Sequence, residues 1–218
     1  MWFQDRMPRR EVEDARLAME AGKDDIAHAI LAALLNASPL HTGALALLYD
    51  LCASQNRDAA ALALLKRIVR LDSNNLAATQ ALALHLFRRG ALAEAEPYAR
   101  NAVRIAPTDP QSHNLMGMIM TDAQRPQVGE YHYRQALQLL AEPSPVLLAN
   151  LAWNLKNQGR MDESRNLYEE SVKLDPHVFQ TLLGWARMEE TDRNFARADE
   201  LLDEAERLAP NNSSVLLQ

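Results

Sequence analysis

Apolar residues return along this chain at the three-to-four-residue spacing of amphipathic helices, and the runs they form end alike. Leu71-Asp72-Ser73, Ile105-Ala106-Pro107, Leu174-Asp175-Pro176 and Leu208-Ala209-Pro210 each close such a run. The step from Leu71 to Ile105, and again from Leu174 to Leu208, is 34 residues. A fixed period of that size predicts stacked helical hairpins. Carried along the chain, it divides residues 8–41, 42–75, 76–109, 110–144, 145–178 and 179–212 into units, and only the fourth needs an extra residue. Residues 1–7 are then an N-terminal tail, and 213–218 begin a seventh, truncated unit.

The columns of this alignment have a packing logic. Small residues recur at the eighth place (Ala15, Ala83, Gly117, Ala152, Ala186) and the twentieth (Ala27, Ala61, Ala95, Gly129, Ser164, Ala198), where they let two antiparallel helices approach closely. Around them stand large apolar residues: Leu48, Leu82, Met116, Leu151 and Trp185 on first helices, and Leu31, Leu65, Tyr133, Tyr168 and Leu202 on second helices. Gly22, Gly90 and Gly159 sit where a helix must end and the chain reverse. Pro39, Pro107, Pro176 and Pro210 separate consecutive units. Three departures stand out. Glu11 and Asp14 make the first unit polar, as suits a cap. Tyr49 and Ile68 are bulky where small residues are expected. The prolines around 140–146, with Ala141 replacing the closing proline, predict a local break there.

Recurring in phase over six units, these columns resemble the tetratricopeptide repeat family along nearly the whole chain. The resemblance implies an all-α, right-handed superhelical solenoid of antiparallel hairpins. In that family the second, fifth, sixth, ninth and twelfth places of the first helices face a ligand on the concave surface. Here this implies a partner-binding groove of Leu84, Phe87, Asn114, Met118, Asn150, Trp153, Lys156, Leu183 and Arg187. Trp153 lies outside the packing columns, so it reads either as an amphipathic groove anchor or as packing against the next hairpin. Asn150 matches the asparagine with which some family members hold a peptide main chain, since an amide both donates and accepts. The basic residues of the family's chaperone-tail carboxylate clamp are missing, and Met118, Gln180 and Gly184 stand in the flanking places. A receptor for chain termini is therefore disfavoured. The stretches 150–160 and 183–187 are also similar to the repeat region of bacterial proteins that join such repeats to a sulfotransferase domain.

Chemistry adds little to this picture. No phosphate-binding glycine loop, nucleophile elbow or H-E-x-x-H helix occurs, so no catalytic residue, cofactor or metal is assigned. The histidines, His113 and His132 among them, read as scattered structural or solvated residues, and Tyr131 and His132 as outward-facing neighbours of Tyr133. The acidic pairs Glu169–Glu170, Glu189–Glu190 and Glu204–Glu206 read as solvated faces, because adjacent helical residues diverge. Cys52 is a small buried hydrophobe. A net charge of −6 gives no footprint for nucleic acid, and no apolar stretch is long enough to cross a bilayer. With no signal peptide legible, the cytoplasm is the expected location.

Three functions follow as expectations. The first is a non-enzymatic scaffold that binds a peptide or protein in its groove. The second is the recruiting arm of a larger enzyme, such as a sulfotransferase, whose missing C-terminal domain follows the abrupt end after Val215-Leu216-Leu217. The third is a homodimer formed through an apolar face of the C-terminal hairpin around Leu201, Leu208 and Leu216.

Overall fold

Polar caps and left-handed turns mark where many of these helices begin or end. The structure, a computed structural model, describes residues 7–208. Residues 1–6 of the expected tail, the seventh unit, Pro210 and Leu216 lie outside the described residues. All regular structure among those described is helical. One compact unit runs up to Ala91 and holds α1 (Met7–Glu20), α2 (Asp24–Ala37), α3 (Thr42–Ser54), α4 (Asp58–Leu71) and α5 (Leu76–Arg88). A second begins at Leu92 and holds α6 (Leu92–Ile105), α7 (Pro110–Asp122), α8 (Pro126–Gln138), α9 (Pro145–Asn157), α10 (Met161–Leu174), α11 (Phe179–Thr191) and α12 (Phe195–Leu208).

Four helices start on a side-chain cap. His41, Asn75, Asp109 and Ser144 accept the N–H three residues on, at 3.1, 3.0, 2.8 and 3.4 Å. Proline at the first turn of α7, α8 and α9 presets the backbone where its missing N–H is not needed. Left-handed residues close α1, α3, α5, α7, α9 and α11: Gly22, Asn56, Gly90, Gln124, Gly159 and Arg193. After each of them the next N–H, from Lys23 through Asn194, bonds the carbonyl five residues back at 2.8–3.0 Å. This is the Schellman closure, which satisfies carbonyls that the helix end would otherwise orphan.

The small-residue columns are buried. In the first unit Ala15, Leu31 and Leu34 pack with Ala44 from the following helix, and Ala27 packs with Ala18 and Leu51. In the second, Tyr133 and Ala136 of α8 share a cluster with Leu147, Leu151 and Leu155 of α9. That cluster corrects the expected break at 140–146: the helices pack straight across the junction. Its extra residue is taken up in the six-residue loop between Gln138 and Pro145. Where the chain does divide into compact units, it does so at Ala91 and Leu92. Leu201 lies buried between α11 and α12, so the apolar face expected there is not exposed at that residue, whereas Leu208 is partly exposed. Cys52 is buried.

Candidate functional site

In α9, Leu147, Leu148, Leu151, Ala152, Asn154 and Leu155 are turned inward. The opposite stripe, Val146, Ala149, Asn150 and Trp153, runs at the i, i+3, i+4, i+7 spacing of one helix face. In α11 the inward residues include Leu182, Trp185, Ala186 and Met188, while Gln180, Leu183, Gly184 and Arg187 form the matching stripe. The two stripes face each other across a pocket of about 360 Å³, to which Tyr168 of α10 and Val178 and Thr181 at the start of α11 contribute. Gly184 keeps the floor open: a Cβ there would stand 3.0 Å from the Tyr168 hydroxyl oxygen.

Four of the residues expected from sequence therefore converge: Asn150, Trp153, Leu183 and Arg187. Lys156 stands beside them, its Nζ 4.7 Å from the centre of the Trp153 ring, a cation–π contact. Asn150 donates through Nδ2 to Asn114 Oδ1 at 2.9 Å, which ties Asn114 to the rim. Met118 packs partly buried against the Tyr133 and Leu151 cluster and does not line the pocket. Leu183 is buried and lines the groove as wall, not as an exposed contact. Leu84 and Phe87 are half-buried on α5, in the other compact unit. Tyr168 was marked in the sequence as a packing residue only, and Thr181 was not marked. Gln180 and Gly184 were marked only as lacking charge.

Burial governs the electrostatics. The Tyr168 phenol is pushed up by burial and by the nearby Tyr133. Arg187 is exposed and makes no ion pair among the described residues. Behind the groove lies a buried charge that the sequence reading placed in solvent: Glu189 is 0% exposed. Burial works against its ionisation. Bonds from Arg165 (2.8 Å), Trp185 Nε1 (2.8 Å) and Asn194 (3.0 Å) outweigh that and hold the carboxyl below its ordinary range.

A second hollow, of about 280 Å³, lies among α6, α7 and α8. Its carboxylate, Glu96, is already engaged by Arg125 and Arg100. His132 lines it half-buried, not outward-facing as expected, with Nδ1 3.0 Å from Nδ1 of buried His113. His113 Nε2 lies 3.0 Å from the Pro107 carbonyl oxygen, which can only accept. His113 Nε2 is thus the donor there, and in the neutral pair His132 Nδ1 donates to His113 Nδ1. Burial first, and the neighbouring His113 second, bring the His132 pKa down to about 4. No group of three histidine, cysteine, aspartate or glutamate side chains that could hold a metal ion occurs among the described residues. Nor is any described helix long and apolar enough to cross a membrane.

Comparison with known proteins agrees with the helical-repeat fold. The tetratricopeptide repeat family model matches residues 13–76, 61–110 and 150–213. The transcriptional regulator HilA of Salmonella typhimurium is 30% identical over 125 residues, 53% of this chain. The chain spans 22% of that relative's length. Among solved structures, a tetratricopeptide repeat protein from Parabacteroides merdae superposes with a TM-score of 0.85 at 16% identity, covering 95% of this chain and 82% of that one. YrrB, described as a TPR protein with an unusual peptide-binding site, gives 0.59 at 18% identity, covering 85% and 95%. At these identities the structural likeness speaks for the fold alone.

Proposed function

Because the chain belongs to the tetratricopeptide repeat family, we propose that it is a protein-interaction scaffold whose groove between α9 and α11 takes a peptide segment of a partner. The observation that carries this reading is the pair of facing stripes, one centred on Trp153 and one on Leu183 and Gly184, around an open pocket. An aromatic wall with an amide at its rim suits an extended segment, its apolar side chains meeting Trp153 and its main chain meeting Asn150. That YrrB is described as having a peptide-binding site supports the reading by analogy of fold. The sulfotransferase-arm reading rests on the sequence resemblance of the last two units alone, and the comparisons lend that resemblance no support. Self-association through the C-terminal hairpin draws no support from buried Leu201.

The test is selection of a displayed random-peptide library on the full chain, repeated on Trp153→Ala. Peptides selected by the wild type should bind the variant about tenfold or more weakly, as for an aromatic hot spot. Helicity and melting should stay nearly unchanged. A large loss of melting temperature with unaltered peptide binding would make Trp153 a packing residue and remove the groove reading.

A further inference from the structure

We propose that His113, His132 and Met116 form a binding site, between α7 and α8, for a soft monovalent metal ion of the copper(I) class. The site shares no residue with the groove and does not rest on the groove reading. Its centre is the pair of imidazoles, whose Nδ1 atoms face each other at 3.0 Å from two different helices. In the neutral pair one proton fills that gap. An ion can replace the proton with little movement, because two metal–nitrogen bonds of about 2 Å at a trigonal angle set the nitrogens about 3.5 Å apart. His113 is already turned for this. Its Nε2–H is held by the Pro107 carbonyl oxygen at 3.0 Å, which leaves the Nδ1 lone pair directed at His132. A carbonyl behind the imidazole is the common support of a metal-bound histidine. His132 follows by moving its proton from Nδ1 to Nε2, an atom with no hydrogen-bond partner among the described residues. The exchange therefore releases no net proton.

An independent observation supplies the sulfur. Met116 is buried one turn beyond His113 on the same face of α7, and it lines the hollow of about 280 Å³ together with His132. Helical side chains lean toward the N-terminus of their helix, so the Met116 thioether leans back toward His113. Met120 lines the hollow too, but two turns from His113, about 10 Å along the axis and beyond reach of the same ion. Imidazole and thioether donors together suit copper(I).

Charge fixes the valence. The three ligands are neutral. Glu96, the one carboxylate lining the hollow among the described residues, is engaged by Arg100 and Arg125, which line it as well. Two guanidiniums against one carboxylate leave one net positive charge on the walls. A divalent ion would find no anionic ligand to offset that repulsion, whereas a soft monovalent ion meets the smaller penalty and the donors it prefers.

The experiment titrates the full chain, labelled in its methionine methyl groups and histidine rings, with silver(I) nitrate as a redox-inert stand-in for copper(I). Copper(I) itself is then competed, without oxygen, against a chromogenic chelator. One equivalent of silver(I) should shift the Met116 methyl and the His113 and His132 ring signals, and leave those of Met118 and Met188 in place. Zinc(II) should bind about a hundredfold more weakly or worse. Met116→Leu, which conserves volume, and His132→Gln should each weaken binding about tenfold or more, with helicity checked by circular dichroism. Met120→Leu and Cys52→Ala should leave the affinity within about twofold. The absence of a saturable shift at Met116 and the two histidines would overturn the inference. So would zinc(II) binding as tightly as silver(I), or an unchanged affinity in folded Met116→Leu. Loss of binding in Cys52→Ala would overturn it as well, by marking the buried thiol as the ligand.

Discussion

A left-handed residue closes each first helix, and half of these residues are not glycine. Gly22, Gly90 and Gly159 adopt positive φ freely, while Asn56, Gln124 and Arg193 hold φ of 54–61° with a Cβ attached. The side chains of Gln124 and Arg193 are exposed. Gln124→Gly and Arg193→Gly should therefore each stabilise the fold by about 1 kcal/mol, and Asn56→Gly by less, since asparagine tolerates this conformation. Urea midpoints measure it; an unchanged or lower midpoint would show that the side chain contributes something in the folded state. Gly129 behaves oppositely. A Cβ there would stand 2.6 Å from Thr121 Oγ1, 2.7 Å from Asn154 Nδ2 and 3.0 Å from the Gly117 carbonyl oxygen. The last is backbone and yields least, so Gly129→Ala should cost about 1–3 kcal/mol. Three glycine turns and the small-residue columns were legible because each is a local demand on one residue. The left-handed state of Gln124 and Arg193 was not, because no side-chain type announces it.

Helices are joined across units by polar groups whose spacing nearly repeats. Glu96 of α6 reaches Arg125 before α8, and Glu130 of α8 reaches Arg160 before α10 at 2.7 Å. Between the two carboxylates lies one 34-residue period. More deeply set is Asn154, 0% exposed: its Nδ2 donates to Thr121 Oγ1 (2.7 Å) and to the Pro126 carbonyl (2.9 Å). Its Oδ1 accepts from Gln158 Nε2 at 2.8 Å. Asn154→Leu removes these bonds and strands the partners, and should cost about 1–3 kcal/mol in chemical denaturation. A neutral effect would mean that water or repacking replaces them. Asn150 and Asn154 sit one turn apart on α9, about 40° round its axis. That small rotation divides groove rim from core, and helical phase read from sequence is too coarse to resolve it.

At the scale of the whole molecule, titrating groups combine. Hydrogen bonding by Arg125 holds the Glu96 carboxyl low. For Glu130 and Glu189 burial opposes ionisation, but bonds from Gln158, Arg134 and Arg160, and from Arg165, Trp185 and Asn194, prevail. Their stabilisation is complete above the unfolded value of 4.5 and is lost as pH falls through the lower folded values. His132 acts at higher pH. The unfolded chain takes up its proton near 6.5 and the folded one near 4, so stability declines as pH drops across that window. Burial raises the Asp50 and Asp122 carboxyls, which offsets part of the acid loss. The His132 contribution is best read as a difference. His132→Gln should flatten the fall in urea midpoint between pH 6.5 and 4 relative to the wild type. An unchanged slope would show that His132 is charged in the fold or lies outside the titration.

The sequence by itself determined the helical class, the 34-residue period and the small-residue contacts. Helical spacing, turn glycines and small-residue columns are local properties, repeated often enough to be read without any partner. It also marked four residues that now meet around one pocket, Asn150, Trp153, Leu183 and Arg187. Only the tertiary structure decided which polar groups go inside. Glu189, Asn154 and His132 each bond a partner from another helix, 24, 33 and 19 residues away along the chain, besides any nearer bonds. It alone showed Thr181 buried with an unbonded hydroxyl. Burial of a polar atom depends on whether another chain segment satisfies it, and that is fixed by packing and not by the residue's own place in a repeat.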